Sequence, residues 1–272
     1  MNKKRILLYI LFFIILIFIY SYYIEPYNLT IKEYKIENKN IPKTFDGLKI
    51  IHFSDIHYGR TVDNKYLEKI VNLINKQNPD LVFFTGDFID KNTNLNNNEI
   101  EEINTILTKI NSTLGNYAII GNHDYKHKEE YIKIMNNVFT ILNNEEKLIY
   151  YDDITPISII GIDDILEGKP NYNIFNNETN YFRIVLLHEP DAYENIKDNK
   201  INLMLSGHSH NGQIRLPFIG AIYTPTGSKK YYESHYILND TELFVSNGIG
   251  TSSINLRFMS QPSINLYRIY KK

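Results

Sequence analysis

Asp55 with His57, Asp87, Asn122 with His123, His188, and His208 with His210 each stand directly after a short run of apolar, strand-favouring residues. Carboxylate, carboxamide and imidazole are donors that suit borderline divalent cations such as Mn, Fe or Zn. Together these side chains suffice for two adjacent cations, a centre that activates water for hydrolysis. A single His or Asp after a strand is more often a turn former or a hydrogen-bonded surface residue. Five of the eight histidines fall in these blocks, and that concentration favours a metal site.

The blocks share one grammar: an apolar run ends in a Gly, Ser or polar turn that carries the ligand. Runs 48–53, 81–84, 117–120, 184–187 and 201–205 fit strands buried on both faces, whose C-terminal ends form the rim where α/β proteins gather ligands. Side chains two apart on extended chain point the same way, so Asp55 converges with His57, and His208 with His210. Gly86, Gly121 and Gly207 permit sharp turns or close approach to an ion. Leu67, Ile70, Val71 and Ile74 recur at helical spacing before Pro79, as do Ile100, Ile103, Ile106, Leu107 and Ile110 before Gly115. From about Phe139 the chain reads mostly as strands, with one short helix at 192–196. The pattern predicts an α/β fold of two packed mixed β-sheets flanked by helices. The Asn-rich stretch 92–98 reads as a polar loop.

The N-terminus speaks to location. Residues 6–20 are an unbroken apolar and aromatic run, no charge follows until Glu25, and Lys3, Lys4 and Arg5 stand just before it. That length suits one transmembrane helix, and the positive-inside tendency puts the N-terminus in the cytoplasm and the catalytic domain outside. A cleaved signal peptide is the competitor. Ser21-Tyr22-Tyr23-Ile24-Glu25-Pro26 lacks a small-residue cleavage site, which favours an uncleaved anchor, and no twin-arginine pair is present. The expected organisation is a basic tip and anchor over 1–24, a tether over 25–46 and a catalytic domain over 47–272. Ile31, Tyr34 and Ile36 alternate within the tether and suggest an edge strand.

Twenty-nine basic against 31 acidic side chains give a formal charge of −2, so there is no broad basic field to collect long nucleic acid. Cysteine is absent, which rules out disulfides, thiolate ligands and a cysteine nucleophile.

Asp55-Ile56-His57, Gly86-Asp87-Phe88-Ile89-Asp90, Gly121-Asn122-His123-Asp124, His188 and Gly207-His208-Ser209-His210 resemble, in order and spacing, the calcineurin-like metallophosphoesterases. Within them the chain looks like the small membrane-associated bacterial phosphohydrolases, on Leu187-His188-Glu189-Pro190-Asp191, Gly161-Ile162-Asp163-Asp164, Gly212-Gln213-Ile214-Arg215-Leu216-Pro217 and Ser246-Asn247-Gly248-Ile249-Gly250-Thr251. Ser260-Gln261-Pro262-Ser263 departs from the Asn-Pro-Pro-Glu type of segment in that branch; it lies beyond the ligand blocks and bears on subfamily and substrate.

The resemblance implies an αββα sandwich and two divalent metal ions (Mn, Zn or Fe). Asp55, His57 and His210 would hold one, Asn122, His188 and His208 the other, with Asp87 bridging. A shared carboxylate keeps such ions roughly 3.5 to 4 Å apart, and a hydroxide between them would attack phosphorus in line with the leaving oxygen. His123 would touch the leaving group, with Asp124 fixing its orientation. The substrate implied is a phosphomonoester, phosphodiester or pyrophosphate, lipid-linked or nucleotide-linked and drawn from the membrane or envelope. A UDP-2,3-diacylglucosamine-type pyrophosphatase and a catalytically silent metal-dependent envelope binding protein are the rival readings.

Other polar residues carry plainer expectations. His52 reads as a packed interior histidine, and His127 and His235 as solvated. Asp90 reads as a loop-fixing residue. Asp163 and Asp164 either line the substrate entrance or form a turn after 157–162, and Arg215 either meets a phosphate or caps a loop.

Overall fold

The computed structural model describes residues 2–176 and 179–272. The apolar N-terminal run is a single helix, α1 (Lys3–Tyr23), of 21 residues, about 31 Å at 1.5 Å per residue and so the thickness of a bilayer core. It stands clear of the rest of the protein, with its apolar side chains exposed all round. Contact resumes at its last turn, where Ser21, Glu25 and Pro26 are buried.

Alternating strands and helices follow: β1 (Thr30–Asn38), β2 (Lys49–Phe53), α2 (Asn64–Lys76), β3 (Leu81–Phe84), α3 (Asn97–Leu107), β4 (Asn116–Ala118), α4 (Lys128–Met135) and β5 (Thr140–Ile141). Asp63 caps α2 through the Tyr66 N–H, and Asn96 with Glu99 forms a reciprocal capping box on α3. The second half carries β6 (Glu145–Ile149), β7 (Ile157–Gly161), β8 (Phe182–Leu186), α5 (Tyr193–Ile196), β9 (Leu203–Ser206), β10 (Arg215–Leu216), β11 (Gly220–Ala221), β12 (His235–Leu238), β13 (Thr241–Val245) and β14 (Ser263–Lys271).

Two mixed six-stranded sheets result, ordered β1-β14-β2-β3-β4-β5 and β12-β13-β9-β8-β7-β6. Ile31, Tyr34 and Ile36 lie on β1, at the edge of the first sheet and parallel to β14. Strand alternation divides the apolar residues between faces. Ile50, Phe83, Ile159, Ile184 and Leu205 pack between the sheets. Ile51, Phe53, Val82 and Phe84 face α2, α3 and α4, while Val185, Met204 and Val245 face α5. The expected layers of helix, sheet, sheet and helix are therefore present.

In the first sheet β2, β3 and β4 are parallel, and in the second β7, β8, β9 and β13 are parallel. Their C-terminal ends open on one common rim, where the backbone of Ile249 after β13 donates to Ser54 O after β2 at 3.1 Å. Six loops thereby deliver polar residues to one place.

Candidate metal centre

The rim backbone is strained. Asp55, His57, Asp87, His208 and His210 all adopt left-handed conformation, with φ of 55°, 45°, 59°, 67° and 49°. Each costs on the order of 1 to 2 kcal/mol in a residue with a Cβ, and such clustering belongs to functional sites. Cross-bonds between loops hold it: Asp55 N donates to Gly86 O at 3.0 Å and His57 N to Asp87 O at 3.1 Å. Loop spacing also demands glycine. A Cβ on Gly86 would lie 2.5 Å from Gly121 N, and one on Gly207 would lie 2.0 Å from Ser54 Oγ and 2.6 Å from Asp55 Oδ2.

Three sets of donor atoms converge, Asp55 with His57 and His210, His57 with Asp87 and His123, and Asp87 with His188 and His208, each set within 4.8 Å of one another. Asp87 Oδ2 lies 3.3 Å from His188 Nε2 and 3.7 Å from His57 Nε2, and Asp55 Oδ1 is 3.4 Å from His210 Nε2. Backbone carbonyls, which only accept, fix two tautomers. His188 Nδ1 donates to Thr85 O at 2.6 Å, which turns Nε2 toward Asp87, and His208 Nε2 donates to Thr226 O at 2.7 Å. The His57 and His210 Nε2 atoms approach to 3.0 Å, and Asn122 Oδ1 is buried with no hydrogen-bond partner. Converging imidazole and carboxylate donors together with an orphaned acceptor are the environment a cation satisfies, and the N and O donor set fits two divalent ions.

The donors differ in protonation. Burial holds His57 and His210 well below the ordinary imidazole range and brings His208 down to about 4, so these rings are neutral. Burial would lower His188 too, but the Asp87 carboxylate overrides it and holds the ring well above its usual value. Burial would raise Asp87, yet the imidazoles of His188, His123 and His57 keep it well below the carboxylate range. Burial pushes Asp55 up to about 7. The pocket thus draws positive charge onto Asp87, which a cation there would supply directly.

The structure gives Asp124 a different role from orienting His123. Its carboxylate accepts the backbone N–H groups of Asp87 (2.8 Å), Phe88 (2.8 Å), Ile89 (3.0 Å) and Gly121 (3.1 Å), clamping the Asp87 loop. His123 is held through its backbone, with N donating to Asp87 Oδ1 at 2.8 Å, while its ring stands 4.6 Å from that of His57 and Nδ1 is unpartnered. The three-residue separation from Gly121 to Asp124 is short enough to close one of these bonds locally.

His52 is interior as expected, between Tyr267 OH at 3.2 Å and Thr85 Oγ1 at 2.9 Å. His235 is exposed and stacks on Phe244. His127 is not solvated: the turn Asp124–His127 folds it inward, where Nε2 meets Lys91 O at 3.2 Å. Asp90 is a loop fixer that accepts from Asn92 N at 3.0 Å and pairs with Arg60. Asp163 and Asp164 serve the turn, accepting from Lys169 N, Leu166 N and Glu167 N. Arg215 is committed to Asn211 and Glu233.

Arg257 went unforeseen. It is fully buried and donates to Ser260 O, Asn247 O, Gly248 O and Gly250 O at 2.8, 2.9, 3.1 and 2.6 Å, with Nη2 3.2 Å from His210 Nδ1. Ser260, in the segment expected to lie beyond the ligand blocks, donates through Oγ to His210 O at 3.0 Å. Nothing in Asn255-Leu256-Arg257-Phe258 signals this, because every protein oxygen it binds belongs to the backbone.

A family model described as calcineurin-like phosphoesterase matches residues 48–212. The uncharacterized metallophosphoesterase YkuE of Bacillus subtilis is 35% identical over 255 residues, covering 92% of this chain and 88% of that one. Phosphodiesterase YaeI of Escherichia coli is 28% identical, over 81% of this chain and 82% of its own length. A transmembrane protein with metallophosphoesterase domain from Danio rerio is 29% identical, over 85% of this chain and 55% of that one.

Proposed function

The chain belongs to the calcineurin-like phosphoesterase family, and from that premise we propose that it is a membrane-anchored phosphohydrolase of phosphomonoester, phosphodiester or pyrophosphate bonds. The observation that carries this reading is the meeting of two donor triads, Asp55 with His57 and His210, and Asp87 with His188 and His208, beside one pocket. In it Asp55, His57 and His210 would hold one divalent cation, Asn122, His188 and His208 the other, and Asp87 would serve both. Bound there, such a pair acidifies water toward neutral pH and neutralises charge on phosphoryl oxygens. The chain's own groups supply orientation. Thr85 O and Thr226 O lock the His188 and His208 rings, and Asp124 holds the Asp87 loop. His123, which lines the pocket, is the group to donate a proton or hydrogen bond to the leaving oxygen.

The pocket encloses about 580 Å³, and Leu166, Ile214, Ile222, Tyr223 and Ile254 line it beside the polar floor. Such walls favour a substrate with an apolar portion, hence a lipid-linked or nucleotide-linked phosphate ester. The relative named a phosphodiesterase supports a diester. Helix α1 would span the membrane with Lys3, Lys4 and Arg5 inside and the catalytic domain outside, and the transmembrane relative supports the anchor.

The full chain, purified in detergent and loaded with Mn or Zn, should hydrolyse aryl phosphomonoester or diester probes in a chelator-sensitive way. His123→Ala should keep its metal and lose about 10² to 10⁴ in turnover. Absence of metal uptake by the wild type would overturn the reading. Metal loss in His123→Ala would make His123 a ligand.

A further inference from the structure

The hairpin of β10 and β11 turns through Leu216-Pro217-Phe218-Ile219-Gly220-Ala221-Ile222-Tyr223, and no charged residue occurs from 216 to 226. Phe218, Ile219, Ile222 and Tyr223 are all exposed, Phe218 completely. Phe218 also sits in left-handed backbone, with φ of 65°, an unfavourable conformation for a bulky residue that here presents the ring to solvent. A contiguous apolar patch of this kind on a soluble face marks an interaction site.

Its position identifies the partner. Arg215 N donates to Phe258 O at 2.9 Å and Phe258 N to Gln213 O at 3.1 Å, so β10 lies one strand spacing, about 4.8 Å, from residue 258. The same segment is bonded to the end of α1, through Arg257 N to Ser21 O at 3.0 Å and Ser260 N to Glu25 Oε1 at 2.6 Å. Met259, exposed, stands at this seam. On the far flank of the helix exit, Tyr22, Tyr23 and Tyr27 are exposed and Lys69 Nζ donates to Tyr27 O at 3.2 Å. Tyrosines and lysine around a helix exit are the composition of a membrane interface.

We propose that the β10–β11 hairpin dips into the interface of the same bilayer that α1 crosses, so that the pocket mouth opens against lipid. This rests on the reading of α1 as a membrane anchor. The hairpin and the pocket share Ile222 and Tyr223, so an ester whose apolar chain stays in the bilayer reaches the metal site laterally, without leaving lipid. Lys229, just past the uncharged stretch, holds its Nζ over the Tyr223 ring at 4.9 Å, which puts a cation beside the exposed hairpin residues.

The chain contains no tryptophan, so one introduced indole reports alone. The full chain is reconstituted in vesicles with and without lipid brominated on the upper acyl chain, carrying Phe218→Trp, Ile219→Trp, Leu11→Trp or Ile154→Trp. Ile154 is exposed but precedes β7, at the end of the strands opposite the rim. Indoles at 218 and 219 are expected to be blue-shifted and to lose about half or more of their emission to the bromines, consistent with shallow interfacial burial. The indole at 11 should be quenched and that at 154 should not. Reporters at 218 and 219 that behave like 154, with 11 quenched, overturn the hairpin proposal alone. An unquenched 11 overturns the anchor reading with it. A blue shift at 218 without quenching, growing with protein density, assigns the patch to a second copy of the chain and also overturns the proposal.

Discussion

Replacing Arg257 with leucine should damage stability and metal binding together, in separable amounts. The guanidinium is fully buried and serves four backbone carbonyls, all of them in the loops that carry or touch His210. Burial lowers its pKa only to about 10, so it remains charged. Charge-assisted hydrogen bonds contribute about 1.5 to 3 kcal/mol each, but partial reorganisation of the freed carbonyls limits the total, and removing one side of a buried charged network typically costs about 3 to 5 kcal/mol. For a domain of this size that lowers the melting temperature by roughly 10 °C. Because a guanidinium only donates, its part beside His210 is to hold the Asn247, Gly248 and Gly250 carbonyls of the loop against which that ring packs, and this support is lost as well. Loss of such an outer partner costs about 10- to 100-fold in metal affinity.

The assay is thermal unfolding and metal titration of the full chain in detergent, with Ile184→Ala as comparator. Ile184 is buried between the sheets away from the rim, and its truncation should cost a similar 2 to 5 kcal/mol, about the same melting shift, with metal affinity intact. If Arg257→Leu and Ile184→Ala bind metal equally well, Arg257 is a structural residue only and its coupling to His210 is refuted.

Gly207→Ala would drive a Cβ to within 2.0 Å of Ser54 Oγ and 2.6 Å of Asp55 Oδ2, so it should displace Asp55 and lower bound metal, as read by elemental analysis of the purified variant. Undiminished metal content would mean that the Asp55 loop adapts freely. Burial depresses the His52 pKa from 6.5 to about 3, so the folded state excludes a proton that the unfolded state takes up below pH 6.5. Stability from this group is therefore complete above that pH and falls as pH drops toward 3, by about 1.4 kcal/mol per unit. His52→Gln, which can keep both hydrogen bonds, should flatten the acid side of the melting-temperature profile relative to wild type; parallel profiles would refute the assignment.

The convergence of the blocks was legible from their number, since five of the eight histidines stand directly after apolar runs and isolated turn formers do not concentrate in that way. His188 follows an apolar run that becomes β8. The layers were legible too, since alternation in β2 and 3.6-residue spacing in α2 each specify a buried face. His127 and Arg257 were not. Both sit in short irregular segments, without periodicity, and both are satisfied by backbone carbonyls that could belong to any residue. Asp124 was found in sequence, but adjacency to His123 suggests a side-chain partnership, whereas its hydrogen-bond partners are main-chain groups 35 to 37 positions upstream, apart from Gly121.

That distinction alters how substitutions at the rim are to be read. The carboxylates expected to hold cations also brace the backbone: Asp55 accepts from His208 N at 3.0 Å, and Asp87 accepts from His123 N at 2.8 Å. The loops of His208 and His123 are thus each fastened by one of these carboxylates from another loop, where Asp55, Asp87 and His208 hold left-handed backbone. Removing a ligand therefore releases a neighbouring loop as well as an ion, and activity loss alone does not identify a coordinating atom. An isosteric change such as Asp87→Asn preserves the Oδ1 acceptor for His123 N while weakening the charge that attracts the cations. Truncation to alanine removes both. The difference in metal affinity between the Asn and Ala variants measures the bracing, and the difference between wild type and Asn measures the charge.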